Sequence, residues 1–200
     1  MPARSTIPAA TERGRGLRVY LRPPLPTDAA RFLAAVRASR RLHGDWVHPP
    51  STAALHAAFV RRYGAPSARD ALSVTHLGFI VCRCEDDAIV GVFNIGEIVR
   101  GLFKSAYLGY YAFAPHAGEG YMAEGLELVL RVVFRRLKLH RIEANVQPSN
   151  TRSLALVRRA GFVREGYSRR YVRIAGRWRD HVRMALLVED WRAQRTKARR

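Results

Sequence analysis

Between an alternating apolar run and a long amphipathic one lies Ala114-Pro115-His116-Ala117-Gly118-Glu119-Gly120-Tyr121-Met122, a stretch whose residue types suit anion binding. Two glycines one residue apart let successive backbone N–H groups turn toward a common point. The helix that follows adds about half a positive charge at its first turn. A pyrophosphate fits such a cradle. A plain strand-to-helix turn has the same composition, so the fragment alone leaves both readings open. The Lys-Ser/Thr pair of a P-loop NTPase is missing, as is the third glycine of a dinucleotide fingerprint, which sets both of those chemistries aside.

Other groups able to do chemistry are scattered. Glu143 and Asn145 share the polar face of an alternating run, where Glu143 is either a general base or a salt-bridged carboxylate. Glu97 ends a strand, and Glu124 falls in the first turns of the long helix, where it complements the dipole. Asp180 and His181 are adjacent in an extended run and therefore point to opposite faces, which argues against a catalytic pair. Cys82 and Cys84 alternate along one strand and are expected to share a buried face as reduced thiols; two thiols fall short of a four-ligand zinc site, so no metal is expected.

The elements that must position these residues follow from periodicity. Leu17 to Arg22 reads as a strand stopped by Pro23, Pro24 and Pro26, after which Thr27 or Asp28 can cap a helix carrying Phe32, Leu33 and Val36. A second short helix with Leu55 and Phe59 one turn apart follows Pro50 and Ser51. Three extended runs, Leu77 to Glu85, Ala88 to Val99 and Ser105 to Phe113, are separated by short turns and should form an antiparallel meander. From about Glu119 the period becomes 3.6, with Met122, Leu126, Val129, Leu130, Val133 and Leu137 on one face. Ile142, Ala144 and Val146 mark a strand, Asn150 to Ala160 a helix ended by Gly161, and Val163 to Ile174 with Arg177 to Val188 a closing hairpin across Ala175 and Gly176. The fold class is α+β.

Two hundred residues suffice for one core, and 48% hydrophobic with 26% charged residues is an ordinary globular mixture. No apolar run approaches the ~20 residues of a membrane span, and Met1 to Gly16 lacks the apolar stretch of a secretory signal, so the expected location is the cytoplasm. Residues 1–16 read as a flexible basic leader, 17–191 as the folded domain and 192–200 as a basic tail. The net charge of +19 favours nucleic acid, a ribonucleoprotein or an anionic cofactor as partner. Arg192, Arg195, Lys197, Arg199 and Arg200 either contact RNA or form a solvated tail.

Asn150-Thr151-Arg152-Ser153-Leu154-Ala155-Leu156-Val157-Arg158-Arg159-Ala160-Gly161-Phe162 resembles the Asn-x-x-Ser/Ala…Gly-Phe segment of the GNAT superfamily of N-acetyltransferases, and the His116 to Tyr121 turn resembles their pyrophosphate loop. Tyr107-Leu108-Gly109-Tyr110, Gly118-Glu119-Gly120-Tyr121-Met122-Ala123-Glu124, His140-Arg141-Ile142-Glu143-Ala144-Asn145 and Gly176-Arg177-Trp178-Arg179-Asp180-His181 are similar to the bacterial ribosomal-protein-alanine N-acetyltransferases within it. The resemblance, running from about Leu17 to Trp191, implies a central mixed, mostly antiparallel sheet with a splay between two parallel strands, flanked by about four helices. It implies acetyl-CoA as co-substrate, with the backbone of Ala112, Phe113 and Ala114 against the pantetheine arm. Amides of His116, Ala117, Gly118, Glu119, Gly120 and Tyr121 would hold the pyrophosphate, and Asn150 would reach the pantetheine side, a role compatible with capping a helix.

Many members place a tyrosine acid where this chain has Val157; ribosomal-protein members use serine, which points to Ser153 as the group that stabilises the departing thiolate. Its structural alternative is a first-turn serine bonded to backbone. No base stands out, and an ordered water relay is preferred. Arg152 and Arg158 meet the 3′-phosphate or face water. Tyr110, Tyr171 and Trp178 line a peptide groove or pack under the last hairpin. The implied acceptor is the N-terminal alanine of a small-subunit ribosomal protein, met on the assembling subunit. The competing functions are acetylation of a small amine or antibiotic, and noncatalytic RNA or ribosome-assembly binding.

Overall fold

The computed structural model describes residues 12–13, 17–66 and 73–197. Its strands are β1 (Glu12–Arg13), β2 (Val19–Arg22), β3 (Leu77–Arg83), β4 (Ile89–Val99), β5 (Ser105–Ala112), β6 (Arg141–Val146), β7 (Val163–Ile174) and β8 (Arg177–Leu187). Its helices are α1 (Ala29–Ala38), α2 (Arg40–His43), α3 (Ala53–Tyr63), α4 (Tyr121–Arg131), α5 (Thr151–Arg159) and α6 (Val188–Lys197). The strands form one sheet in the order β1-β2-β3-β4-β5-β6-β8-β7, and every neighbouring pair is antiparallel except β5 with β6. This is the α+β, mixed and mostly antiparallel sheet that the resemblance implies. Among the described residues no helix is long and apolar enough to cross a membrane.

Alternation along the strands sends apolar side chains to both faces. One face, with Val81, Phe93, Ile95, Leu108, Ile142 and Met184, packs under α4 through Leu126, Val129 and Val133, and Trp191 of α6 closes its edge. The other face, with Tyr20, Ile80, Val92 and Tyr111, receives Phe32 of α1 and Phe59 of α3. That second cluster stops at β5; on this face β6, β8 and β7 carry Glu143, Asn145, Arg183 and an exposed Tyr167 instead. One half of the sheet is therefore covered on both sides, and the other half is open on one.

Several boundaries differ from the sequence reading. The long apolar helix runs as α4 to Arg131 and then widens into a π turn over Val132–Arg136. In α3 the buried residues are His56 and Phe59, while Leu55 is 52% exposed. Thr52 rather than Ser51 caps that helix, its hydroxyl accepting from the Leu55 amide at 3.2 Å. Asp28 does not cap α1 with its side chain; it is buried, accepts from the Leu25 amide and holds Arg22 and Arg31. Cys82 is buried as expected, but Cys84 lies past the end of β3 and is exposed. Glu12–Arg13 of the expected leader pairs with β2, and the expected tail is helical to Lys197, with Arg195 on Glu127 and 5.2 Å from the Trp191 ring. The rest of the leader, 1–11 and 14–16, and residues 198–200 lie outside the described residues.

Candidate active site

The turn from β5 into α4 holds the glycine-rich stretch. Gly118 and Gly120 adopt positive φ of 95° and 88°, a region that side chains with a Cβ enter at a cost. A Cβ on Gly118 would meet nothing within 4 Å. Gly91 of β4 lets the first turn of α4 sit on the sheet: a Cβ there would collide with the Met122 sulfur and lie 2.8 Å from the Tyr111 carbonyl. Among the described residues, the amides from His116 to Met122 donate to no protein acceptor, so a run of N–H groups converges at the positive end of α4.

Two arginines flank this run, and neither has a local sequence signal. The Arg18 guanidinium donates to the Glu119 carbonyl at 2.9 Å, pairs with Glu124 and lies 4.5 Å from the Tyr121 ring centre. Arg83 donates to the Tyr121 hydroxyl at 3.3 Å and to Asp86, whose carboxyl it holds down at about 2. The register of β2 on β3, with Val19 opposite Arg83, brings them together. Glu124 therefore holds an arginine as well as complementing the helix dipole. An anion with several oxygens fits this arrangement, since unpaired amides, a helix N-terminus and two cations all face it.

β5 and β6 pair only from Ser105 with Arg141 to Tyr107 with Glu143, then diverge. Beyond that rung β5 stays bonded to β4 as far as Ala112, and β6 to β8 as far as Val146, which leaves a wedge between the two parallel strands. Three backbone groups at its wide end are engaged. His43 Nε2 donates to the Ala112 carbonyl (2.8 Å), the Phe113 amide donates to Val90 (2.8 Å), and the Ala114 amide donates to the Ser39 hydroxyl (2.9 Å). By the alternation of the ladder, the edge still offers the Ala112 amide and the groups of Tyr110. Burial lowers the pKa of His43, keeping it neutral, as suits a ring that donates to a carbonyl.

Asn150 caps α5, its side-chain oxygen accepting from the Ser153 amide at 3.1 Å. That leaves the Ser153 hydroxyl free of helix capping, and it shares a 2.5 Å hydrogen bond with the Tyr110 hydroxyl, which also lies 3.2 Å from the Ser153 carbonyl. Burial pushes the Tyr110 phenol up to about 12, against the opposing effect of Ser153, so it is a proton donor across the physiological range. Tyr110 thus joins the site from the helix-covered face rather than lining a groove. Only the distance across the fold, 43 residues in sequence, hid this pair.

The remaining residues singled out in the sequence divide plainly. Glu143 is buried and accepts from Arg141 Nε at 2.9 Å, with Arg183 at 3.6 Å, so the carboxylate is salt-bridged. Glu97 is exposed and lies 3.3 Å from His76. Asp180 accepts from the Tyr167 hydroxyl (2.6 Å) and the Arg170 amide (2.7 Å), while His181 Nδ1 donates to the Arg179 carbonyl, so the two do not meet. Tyr171 lies over Asn145, 3.4 Å from its amide nitrogen, and Trp178 is 60% exposed. Arg152 and Arg158 are exposed, and Val157 is fully buried.

Comparison with known proteins agrees with this geometry. Residues 18–163 match the model of the acetyltransferase (GNAT) domain. The chain is 44% identical over 107 residues to the "[Ribosomal protein uS5]-alanine N-acetyltransferase" of Escherichia coli (strain K12), covering 54% of this chain and 55% of that one. It is 40% identical over 112 residues to the "Probable N-acetyltransferase YjcK" of Bacillus subtilis (strain 168), covering 56% and 62%. The chain thus spans between half and two thirds of the length of these curated relatives. Among solved structures, Mycobacterium smegmatis RimJ in complex with CoA-disulfide superposes with a TM-score of 0.77 at 29% identity, covering 90% of this chain and 87% of that one. With its one parallel strand pair splayed beside a glycine turn, and with that match over most of its length, the chain belongs to the GNAT acetyltransferase family.

Proposed function

We propose that this protein is an acetyl-CoA-dependent Nα-acetyltransferase that modifies the N-terminal alanine of a small-subunit ribosomal protein. The observation that carries the reading is the wedge between β5 and β6, with the unpaired amides of His116 to Met122 at one end and the Ser153–Tyr110 hydroxyl pair beside it. The wedge suits an extended arm that adds to a strand edge, and the amide run with Arg18 suits a pyrophosphate. Asn150 orients Ser153 by fixing the first turn of α5.

The acceptor amine would approach from the face that α1 and α3 leave open. Its nitrogen forms a bond to the acetyl carbon, the carbon–sulfur bond breaks, the amine's proton passes to water, and the sulfur takes a proton by way of Ser153, which Tyr110 resupplies. A protein α-amine has a pKa of about 7.7–8.0, so a useful fraction is neutral near pH 7, whereas a lysine amine near 10.4 is almost wholly charged. A site whose nearest carboxylate, Glu143, is held by two arginines suits the first and not the second. The net charge of +19 disfavours polycationic amines and favours an acceptor presented on a ribonucleoprotein. The test is mass spectrometry of ribosomal proteins from a strain lacking the gene. The expected result is loss of one N-terminal acetyl group; unchanged termini would count against the reading.

A further inference from the structure

On the open face of the sheet, the rung that crosses the wedge is nearly bare. Register sets Gly78, Asn94 and Gly109 side by side across β3, β4 and β5, and Asn145, Arg183 and Gly166 side by side across β6, β8 and β7. Tyr107 and Glu143 form the last shared rung, so Gly109 and Asn145, each two residues further on, oppose one another across the gap on the same face. One asparagine therefore stands on each side of the wedge, with only the backbone of Gly109 between them.

Both amides lack what they need. The side-chain oxygens of Asn94 and Asn145 are buried without a hydrogen-bond partner, and so is the hydroxyl of Tyr111, two residues beyond Gly109 on that face. Buried polar atoms are seldom left unpaired, and those that are call for an explanation. Asn94 is closed in on the β3 side, where a Cβ on Gly78 would lie 2.7 Å from the Tyr63 Cβ; on the other side a Cβ on Gly109 would meet only the Asn94 Cβ, at 4.0 Å. Asn145 has one weak partner, the Tyr171 hydroxyl at 3.4 Å from its nitrogen.

We propose that Asn94 and Asn145 bind the acceptor, their amide oxygens taking the N–H groups of the incoming primary amine and of the first peptide unit above Gly109. The proposal rests on the acetyltransferase reading and deepens it by naming the acceptor subsite. Neutral carbonyls offer an ammonium no compensating charge, and Arg183 in the same row disfavours it further, so the subsite selects an amine that loses its proton readily. Gly109 leaves room above the strand for a small first side chain.

The experiment compares wild type with Asn94→Leu and Asn145→Leu, which keep bulk and remove the amides. Acceptors are alanine-, leucine- and glycine-initiated peptides and spermidine, with acetyl-CoA titrated separately. Each variant is expected to lower kcat/KM for the best acceptor by roughly 3- to 10-fold, the range for one lost hydrogen bond. The KM for acetyl-CoA should hold, and the melting temperature should hold or rise because an unpaired buried polar group is gone. Gly109→Ala should shift preference from alanine- to glycine-initiated peptide. Unchanged acceptor kcat/KM in both leucine variants would overturn the proposal, as would a fall in melting temperature with equal losses for both substrates. If spermidine proves the best acceptor, the N-terminal reading fails, while the same ratio still decides whether the asparagines bind the amine.

Discussion

Ser153→Ala tests the proton path most sharply. The Ser153 hydroxyl has one side-chain partner, Tyr110, at 2.5 Å, and its amide is already committed to Asn150. Removing the hydroxyl therefore leaves α5 capped and takes away only the group proposed to meet the departing sulfur. A hydrogen bond to a charged acceptor contributes about 1.5–3 kcal/mol, against about 0.5–1.5 for a neutral one. The difference between transition state and ground state predicts a fall in chemistry of roughly 10- to 100-fold, with cofactor affinity nearly unchanged. Tyr110→Phe should cost less, because Ser153 keeps its own proton. The double variant should match Ser153→Ala alone, since the tyrosine acts through the serine. The assay is single-turnover release of free thiol with saturating peptide. A Ser153→Ala rate equal to wild type would refute the path, and additive losses in the double variant would refute the relay from Tyr110.

At the anion cradle, Gly120→Val forces a branched side chain into φ near +88° and sets its Cβ 3.3 Å from the Arg18 guanidinium. Strain of about 1–3 kcal/mol, with Arg18 displaced from Glu119, should weaken acetyl-CoA roughly tenfold or more by calorimetry; wild-type affinity in a folded variant would contradict the cradle. Stability should also depend on pH through His43, His56 and His181, whose pKa values burial lowers below 6.5. The unfolded chain binds these protons more readily, so stability is full above about pH 6.5 and falls below it, by at most about 1.4 kcal/mol per pH unit for each histidine. Thermal melts from pH 8 to pH 5 that show no fall would count against neutral buried rings.

Local chemistry made some of this architecture readable from the chain. Ala175 and Gly176 join β7 and β8 where the hairpin is read from sequence, both at positive φ, and Gly161 takes the left-handed position after α5. Asn150 caps its helix as its type suggests. What escaped reading depends on pairings between distant segments. Arg18 and Arg83 reach the glycine turn through strand register, and Tyr110 meets Ser153 only because α5 packs beside β5. The π turn at Val132–Arg136 is invisible to a periodicity that continues through it, since Val133 stays buried either way. Arg195, read as part of a free tail, is tied to Glu127 and Trp191, which weakens the case for those residues as an RNA contact.

The central claim is that the wedge presents acetyl-CoA to a protein α-amine. Purified protein incubated with acetyl-CoA, a panel of N-terminal peptides, free lysine and polyamines, and read by intact mass with fragment sequencing, tests it directly. The account predicts a single added acetyl group on the α-nitrogen of alanine-initiated peptides, with lysine side chains and polyamines left unmodified. Acetylation confined to polyamines or to lysine side chains would contradict it.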